Sequence, residues 1–249
     1  MGGLKFNEDL NLRLVRGIQE GYSKYAELRR EKSEELHVSG AYAWVRGNHI
    51  EDQVARELQE VNINSELGKA GYTWEYLQFN DSENKSLIII KGVNILKNKP
   101  HDTKLDIDHA DHYLVRLAEI NSGLDFGNVS ESEQGILEFP DLDPVVDILQ
   151  DDNIKALKKT YEKFYILTYN IDRSSRMISE IDLWMPEYQG KSNVAMVRVD
   201  SLTDYLDRTE ADVDLEAIGH LVKLPEEELS GTFSKFGIKS IDRTKQEER

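Results

Sequence analysis

Apolar residues recur at three- and four-residue steps through Leu10, Leu14, Ile18, Tyr22, Tyr25 and Leu28. That spacing predicts one long amphipathic helix running to about Glu35. The opposite face carries Arg13, Arg16, Glu20, Lys24, Glu27 and Glu31, alternating in sign as a solvated exterior does. Ile50, Val54, Leu58 and Val61 predict a second helix, with Asn48 as its N-cap and Glu51 three residues on as the capping-box partner. The period then shortens to that of strands. Residues 72–79 and 86–91 flank the polar segment 80–85, which predicts a hairpin. A third helix is expected to open near Asp108 and bury Leu114, Leu117 and Ile120.

Residues 121–143 are rich in Gly, Ser and acids and end among Pro140 and Pro144, the composition of a linker or long loop. Beyond them, Val145 to Phe164 reads as helix interrupted around Asp151 and Asp152. Phe164–Ile171 and Met177–Trp184 predict a second hairpin, and Val194–Val199 a strand beside it. Ser201 with Asp204 signals a short capped helix over 202–207, and 213–224 a further one. Hairpins grouped apart from helices indicate an α+β fold, with helices packed on small antiparallel sheets. Two lobes are expected: residues 1–120, then the linker 121–143, then residues 144–249.

Composition changes this picture in three ways. The chain of 249 residues has no cysteine, which excludes disulfides, thiolate catalysis and iron–sulfur clusters and suits a reducing, cytoplasmic setting. The longest apolar run, Leu87-Ile88-Ile89-Ile90, has strand length, so no membrane span is expected. The net charge of −16 is not spread evenly. Residues 102–152 hold fourteen acids against Lys104 and Arg116, and residues 200–228 hold ten against Arg208 and Lys223. Segregated charge shapes a field and so a choice of partners. This field disfavours nonspecific binding of nucleic acid.

Three groups of residues could carry chemistry. The first is the His/Asp cluster of 101–112, where His101, Asp106, Asp108, His109 and His112 offer imidazole and carboxylate ligands for a divalent metal such as zinc or manganese. Such a centre would make the protein a metal-dependent hydrolase, a nuclease being one form. Helix capping by Asp108 and Asp111 accounts for the same residues without a metal. The second group is the stretch 46–52 at the start of the second helix, with His49, Asp52 and Arg56 on its polar side and Glu57 and Glu60 following, then the hairpin that ends in Lys91; capping by Asn48 and an Asp52–Arg56 pair account for the same residues. A carboxylate on a helix feeding such a hairpin is similar in outline to metal-dependent nucleases, where an acidic pair holds the ion and a lysine supports the attacking water. The strand carboxylates of that arrangement are missing, because Ile89 and Ile90 precede Lys91.

The third group is the acidic blocks themselves. Asp141, Asp143, Asp147 and Asp151 lie among apolar residues, as do Asp204, Asp207, Asp212 and Asp214. Carboxylates interleaved with a buried stripe make an ordered anionic face, and in its extreme form such a face imitates a nucleic-acid backbone. Trp184, before Met185 and Pro186 at an expected strand end, and Tyr205 are the anchors such a face would offer. The leading expectation is therefore an interaction or inhibitor protein that docks a basic protein partner. The competing expectation is the hydrolase built on residues 101–112.

Overall fold

The computed structural model describes residues 3–70, 74–96, 113–126, 136–138, 151–189 and 194–224. Helix α1 (Glu8–Glu35) is capped by Asn7, whose side chain accepts from the Leu10 N–H at 2.8 Å. Glu8 and Asp9 sit in its first turn and Lys32 in its last, as the helix dipole favours. The predicted stripe is buried: Leu14 and Ile18 are fully covered. Helix α2 (Arg46–Gln59) packs along α1 at close range. A Cβ on Gly21 would lie 2.6 Å from the Ile50 Cα, and one on Gly17 2.8 Å from the Val54 Cα, so only glycine permits this approach.

The start of α2 departs from the sequence reading. A 3-10 turn over Gly40–Val45 runs straight into Arg46, so Asn48 and Glu51 lie inside the helix and form no capping box. The buried Arg29 donates to the Ser39 carbonyl and pins this connection. Glu51 is thereby released for another use, described below.

Strands β1 (Asn64–Ala70), β2 (Trp74–Asp81) and β3 (Ser86–Gly92) form an antiparallel meander. After the short β4 (Asn94–Leu96), α3 (Tyr113–Ala118), the short β5 (Ile136–Glu138) and α4 (Asp151–Thr160), a second meander follows. It comprises β6 (Lys163–Ile171), β7 (Ile178–Tyr188) and β8 (Val194–Ser201). The two hairpin groups, expected in separate small sheets, are joined by parallel pairing of β3 with β6 into one six-stranded mixed sheet, ordered β1-β2-β3-β6-β7-β8. β4 and β5 pair separately. The last helix, α5 (Leu215–Lys223), returns to lie against α1.

The α+β class holds, with helices on both faces of the sheet. Along β3, Ile88 and Ile90 enter the core shared with α1 and α2, while Leu87 and Ile89 enter the core beneath α3. Along β6, Tyr165 and Leu167 alternate with Phe164 and Ile166 in the same way. Strands buried on both faces need continuous apolar runs, which is why these two lie at the centre. Most of the 121–143 segment lies outside the described residues.

Candidate functional site

The second acidic block is bound to α1 as a strap. Its course, from the 3-10 turn Thr203–Tyr205 to α5, follows one line of the helix. Asn11 donates to the Tyr205 hydroxyl at 3.4 Å, and Gln19 to the Leu206 carbonyl at 3.0 Å. Thr209 donates in turn to the Gln19 side chain. The Asp214 N–H donates to Ser23 Oγ at 2.7 Å, and Ser33 meets His220 Nε2 at 2.8 Å. From residue 11 to residue 33 that is about 33 Å of helix. Inward polar atoms are spent on α1, so the charged side chains turn outward. Asp204, Asp207, Glu210 and Asp212 are exposed and form no ion pair among the described residues.

Other acids of the block are consumed by the fold. Asp214 caps α5, its carboxylate accepting from the Ala217 N–H at 2.8 Å, and it faces Arg30 at 3.4 Å. Asp200 pairs with Lys5 at 2.8 Å. Tyr205 is held by Asn11 and lies under Arg208, whose guanidinium sits 4.7 Å from the ring centroid. Trp184 must be corrected. Expected at a strand end and partly exposed, it is only 4% exposed and donates its indole N–H to Thr168 Oγ1 at 2.9 Å. β7 does not stop at Pro186 but continues to Tyr188, which carries Trp184 into the core under α3. A buried indole cannot anchor a partner.

In the first acidic block, Asp141, Asp143 and Asp147 lie outside the described residues, and Asp151 opens α4. The whole His101, Asp106, Asp108, His109, His112 cluster lies outside them as well. Among the described residues no group of three or more His, Asp or Glu side chains could hold a metal ion.

A second constellation lies within the sheet. β1 stays paired with β2 from Asn64↔Asn80 to Ala70↔Trp74, and β3 stays paired with β6 from Ser86↔Lys163 to Gly92↔Tyr169. Between them, β2 and β3 pair only at Phe79↔Ile88, Asn80↔Leu87 and Asp81↔Ser86. Beyond Phe79 the two strands separate into a wedge. The Glu51 carboxylate enters it from α2 and accepts the Leu77 N–H at 2.9 Å. Burial pushes the Glu51 carboxyl above the usual range; the Lys91 ammonium and the Leu77 N–H pull it back in part.

Lys91 stands on the other wall of the wedge, only 9% exposed. Its Nζ lies 5.3 Å from the ring centroid of Tyr76 and 5.6 Å from that of Tyr113. The two rings touch each other, with centroids 4.9 Å apart. Gly68 faces Tyr76 across β1 and β2, and a Cβ there would meet the Tyr76 ring at 2.6 Å. Across the sheet Lys91 is in register with Thr168, and Thr168 with Asp182, which faces Arg198 at 3.8 Å. Of the nuclease-like outline, Asp52 pairs with Arg56 at 3.0 Å on the helix exterior, and the carboxylate that comes near Lys91 is Glu51. The position two before Lys91 is the buried Ile89, however, and the β2 residues Tyr76 and Gln78 add no carboxylate. One carboxylate is a poor ligand set for a divalent ion.

The tyrosines of the wedge were not foreseen from sequence. The available signal was a lysine closing a fully apolar strand, since both faces of such a strand are buried. Among the described residues no helix is long and apolar enough to cross a membrane. Comparison with protein-family models, with curated proteins and with solved structures finds no match to this chain.

Proposed function

We propose that the protein is an interaction or inhibitor protein that docks a basic protein partner through the anionic strap on α1. The observation that carries this reading is the fixation of the strap: its inward groups bond to Asn11, Gln19, Ser23 and Ser33, and Asp204, Asp207, Glu210 and Asp212 are left exposed, without ion pairs among the described residues. A flexible acidic tail confers solubility. Carboxylates held at fixed spacing can match fixed cations on another surface, raising association rates by up to about 10³-fold at low salt and selecting against acidic partners. Tyr205, partly exposed on the strap, is the one aromatic anchor kept in this reading; charge complementarity supplies most of the recognition and salt governs the affinity. The cysteine-free composition fits a partner met in the cytoplasm.

The test is affinity capture from the native host at low salt, using the wild-type chain and a variant carrying Asp204→Lys, Asp207→Lys and Asp212→Lys. The wild type should retain a basic protein that is released at high salt and unaffected by a chelator. The variant should bind that protein at least about tenfold more weakly. Equal retention by the variant overturns the reading, and release by chelator favours a metal centre instead.

A further inference from the structure

Lys91 is a largely covered cation at the end of β3, set against two tyrosine rings. A buried ammonium carries three N–H donors, and leaving them without acceptors is costly in a low-dielectric surrounding. Lys91 is only 9% exposed, its Nζ is not fully enclosed, and among the described residues no hydrogen bond or ion pair occupies it. The neighbouring carboxylate of Glu51 is engaged by the Leu77 N–H and does not close on it. The Tyr76 and Tyr113 rings supply cation–π attraction, which offsets part of the desolvation but accepts no hydrogen bond. Tyr76 is itself fixed, its hydroxyl accepting from Gln78 Nε2 at 2.8 Å. Among the described residues the ammonium is thus held by the two rings and the nearby Glu51 charge, with no acceptor bonded to it.

The same wedge is where the ladder is open. β2 and β3 have parted there, and Glu51, which keeps part of its surface exposed, reaches into the opening to the Leu77 N–H. An acceptor small enough to enter between the strands would meet the Lys91 Nζ directly. We propose that the wedge between β2 and β3 binds the phosphate group of a small molecule, with Lys91 as its charged donor and the Tyr76 and Tyr113 rings as its inner wall. An ammonium is a point-charge phosphate ligand, and a charge-assisted bond of this kind is the strong form. The size limit follows from charge. With a net charge of −16 on the chain, a long polyphosphate or nucleic-acid strand is repelled, whereas one phosphate group meets the local field of Lys91. Glu51 sets the depth: ionised, it repels the anion and keeps it at the ammonium; protonated, it is a further donor.

The test uses the full chain and inorganic phosphate. Calorimetric titration of wild type should give one site that chloride at equal ionic strength does not fill. Lys91→Met keeps the buried stem and removes the donors, and should weaken phosphate binding by about 10- to 100-fold with the far-ultraviolet circular dichroism unchanged. Amine footprinting on the wild type provides a readout that needs no variant: phosphate should slow acetylation of Lys91 and leave Lys85, on the adjoining turn, unaffected. Repeating both with a nucleoside monophosphate separates a free-phosphate site from a phosphate-ester site, the ester binding more tightly in the second case. Absence of phosphate-specific heat together with unprotected Lys91 overturns the proposal, as does undiminished binding by Lys91→Met.

Discussion

Two pairs of neighbouring strands in the sheet come apart, and a side chain from outside the sheet fills each gap. At the first, β6 and β7 are in register from Ile166↔Trp184, and Pro186 has no N–H to extend the ladder. Asn121 completes it. Its Oδ1 accepts the Phe164 N–H at 2.8 Å, and its Nδ2 donates to the carbonyls of Phe164 and Pro186, each at 2.9 Å. At the second, Glu51 fills the opening between β2 and β3 with one bond to Leu77, opposite a lysine that has none among the described residues. An amide matches the donors and acceptors of a broken ladder and leaves nothing over. A carboxylate opposite an ammonium leaves charge and hydrogen-bonding capacity unspent. The first gap is a structural repair; the second has the means to receive a ligand.

The difference can be broken from either side. Asn121 is 1% exposed, and Asn121→Ala leaves a buried N–H and two carbonyls without partners. It should cost about 3 kcal/mol or more in denaturant unfolding. Glu51→Ala removes one bond and the countercharge to Lys91, and should cost about 1–2 kcal/mol. Lys91→Met should change stability by about 1 kcal/mol at most, in either direction, because an apolar side chain of similar length replaces an ammonium that makes no hydrogen bond among the described residues. If Lys91→Met were as damaging as Asn121→Ala, the lysine would be structural and the contrast would fail.

The smallest effect is a pH dependence. In the folded chain burial raises the proton affinity of Glu51 above the unfolded value near 4.5, so the native state holds the proton longer. The associated stabilisation is complete below that value and is lost as pH rises through the higher folded value. The stability difference between wild type and Glu51→Gln should therefore drift against the wild type across the window just above pH 4.5. A difference that is flat from acid to neutral pH contradicts the desolvation of Glu51.

Much of the fold is visible in the sequence because it rests on periodicity. α1 and α5 show a 3.6-residue repeat, and the hairpins show strand-length apolar runs, continuous in β3 and β6, on either side of polar turns. β1 does not: Asn64-Ser65-Glu66-Leu67-Gly68-Lys69-Ala70 has no aromatic or β-branched residue, its Leu67 is 65% exposed, and pairing with β2 makes it a strand. The parallel β3–β6 contact spans more than seventy residues and leaves no local mark beyond the apolar run Leu87–Ile90. The strap was legible as an acid-rich segment, but which acids stay outward depends on α1: Asp214 is indistinguishable from Asp212 in sequence, yet it caps α5. Glu51 misled because the Asn-x-x-Glu spacing of a capping box falls here inside a helix that a 3-10 turn has already begun.

Docking through the strap requires the acids of 204–212 to ride on a rigid backbone, and amide hydrogen exchange reads that property residue by residue. The Leu206, Arg208 and Thr209 amides, bonded to Thr203 and Tyr205, and the Asp214 amide, bonded to Ser23, should exchange far more slowly than free chain. Replacing Ser23 by Ala should release the Asp214 amide alone. Free-chain exchange throughout 204–214 in the wild type would reduce the strap to a solvated acidic loop and contradict the account.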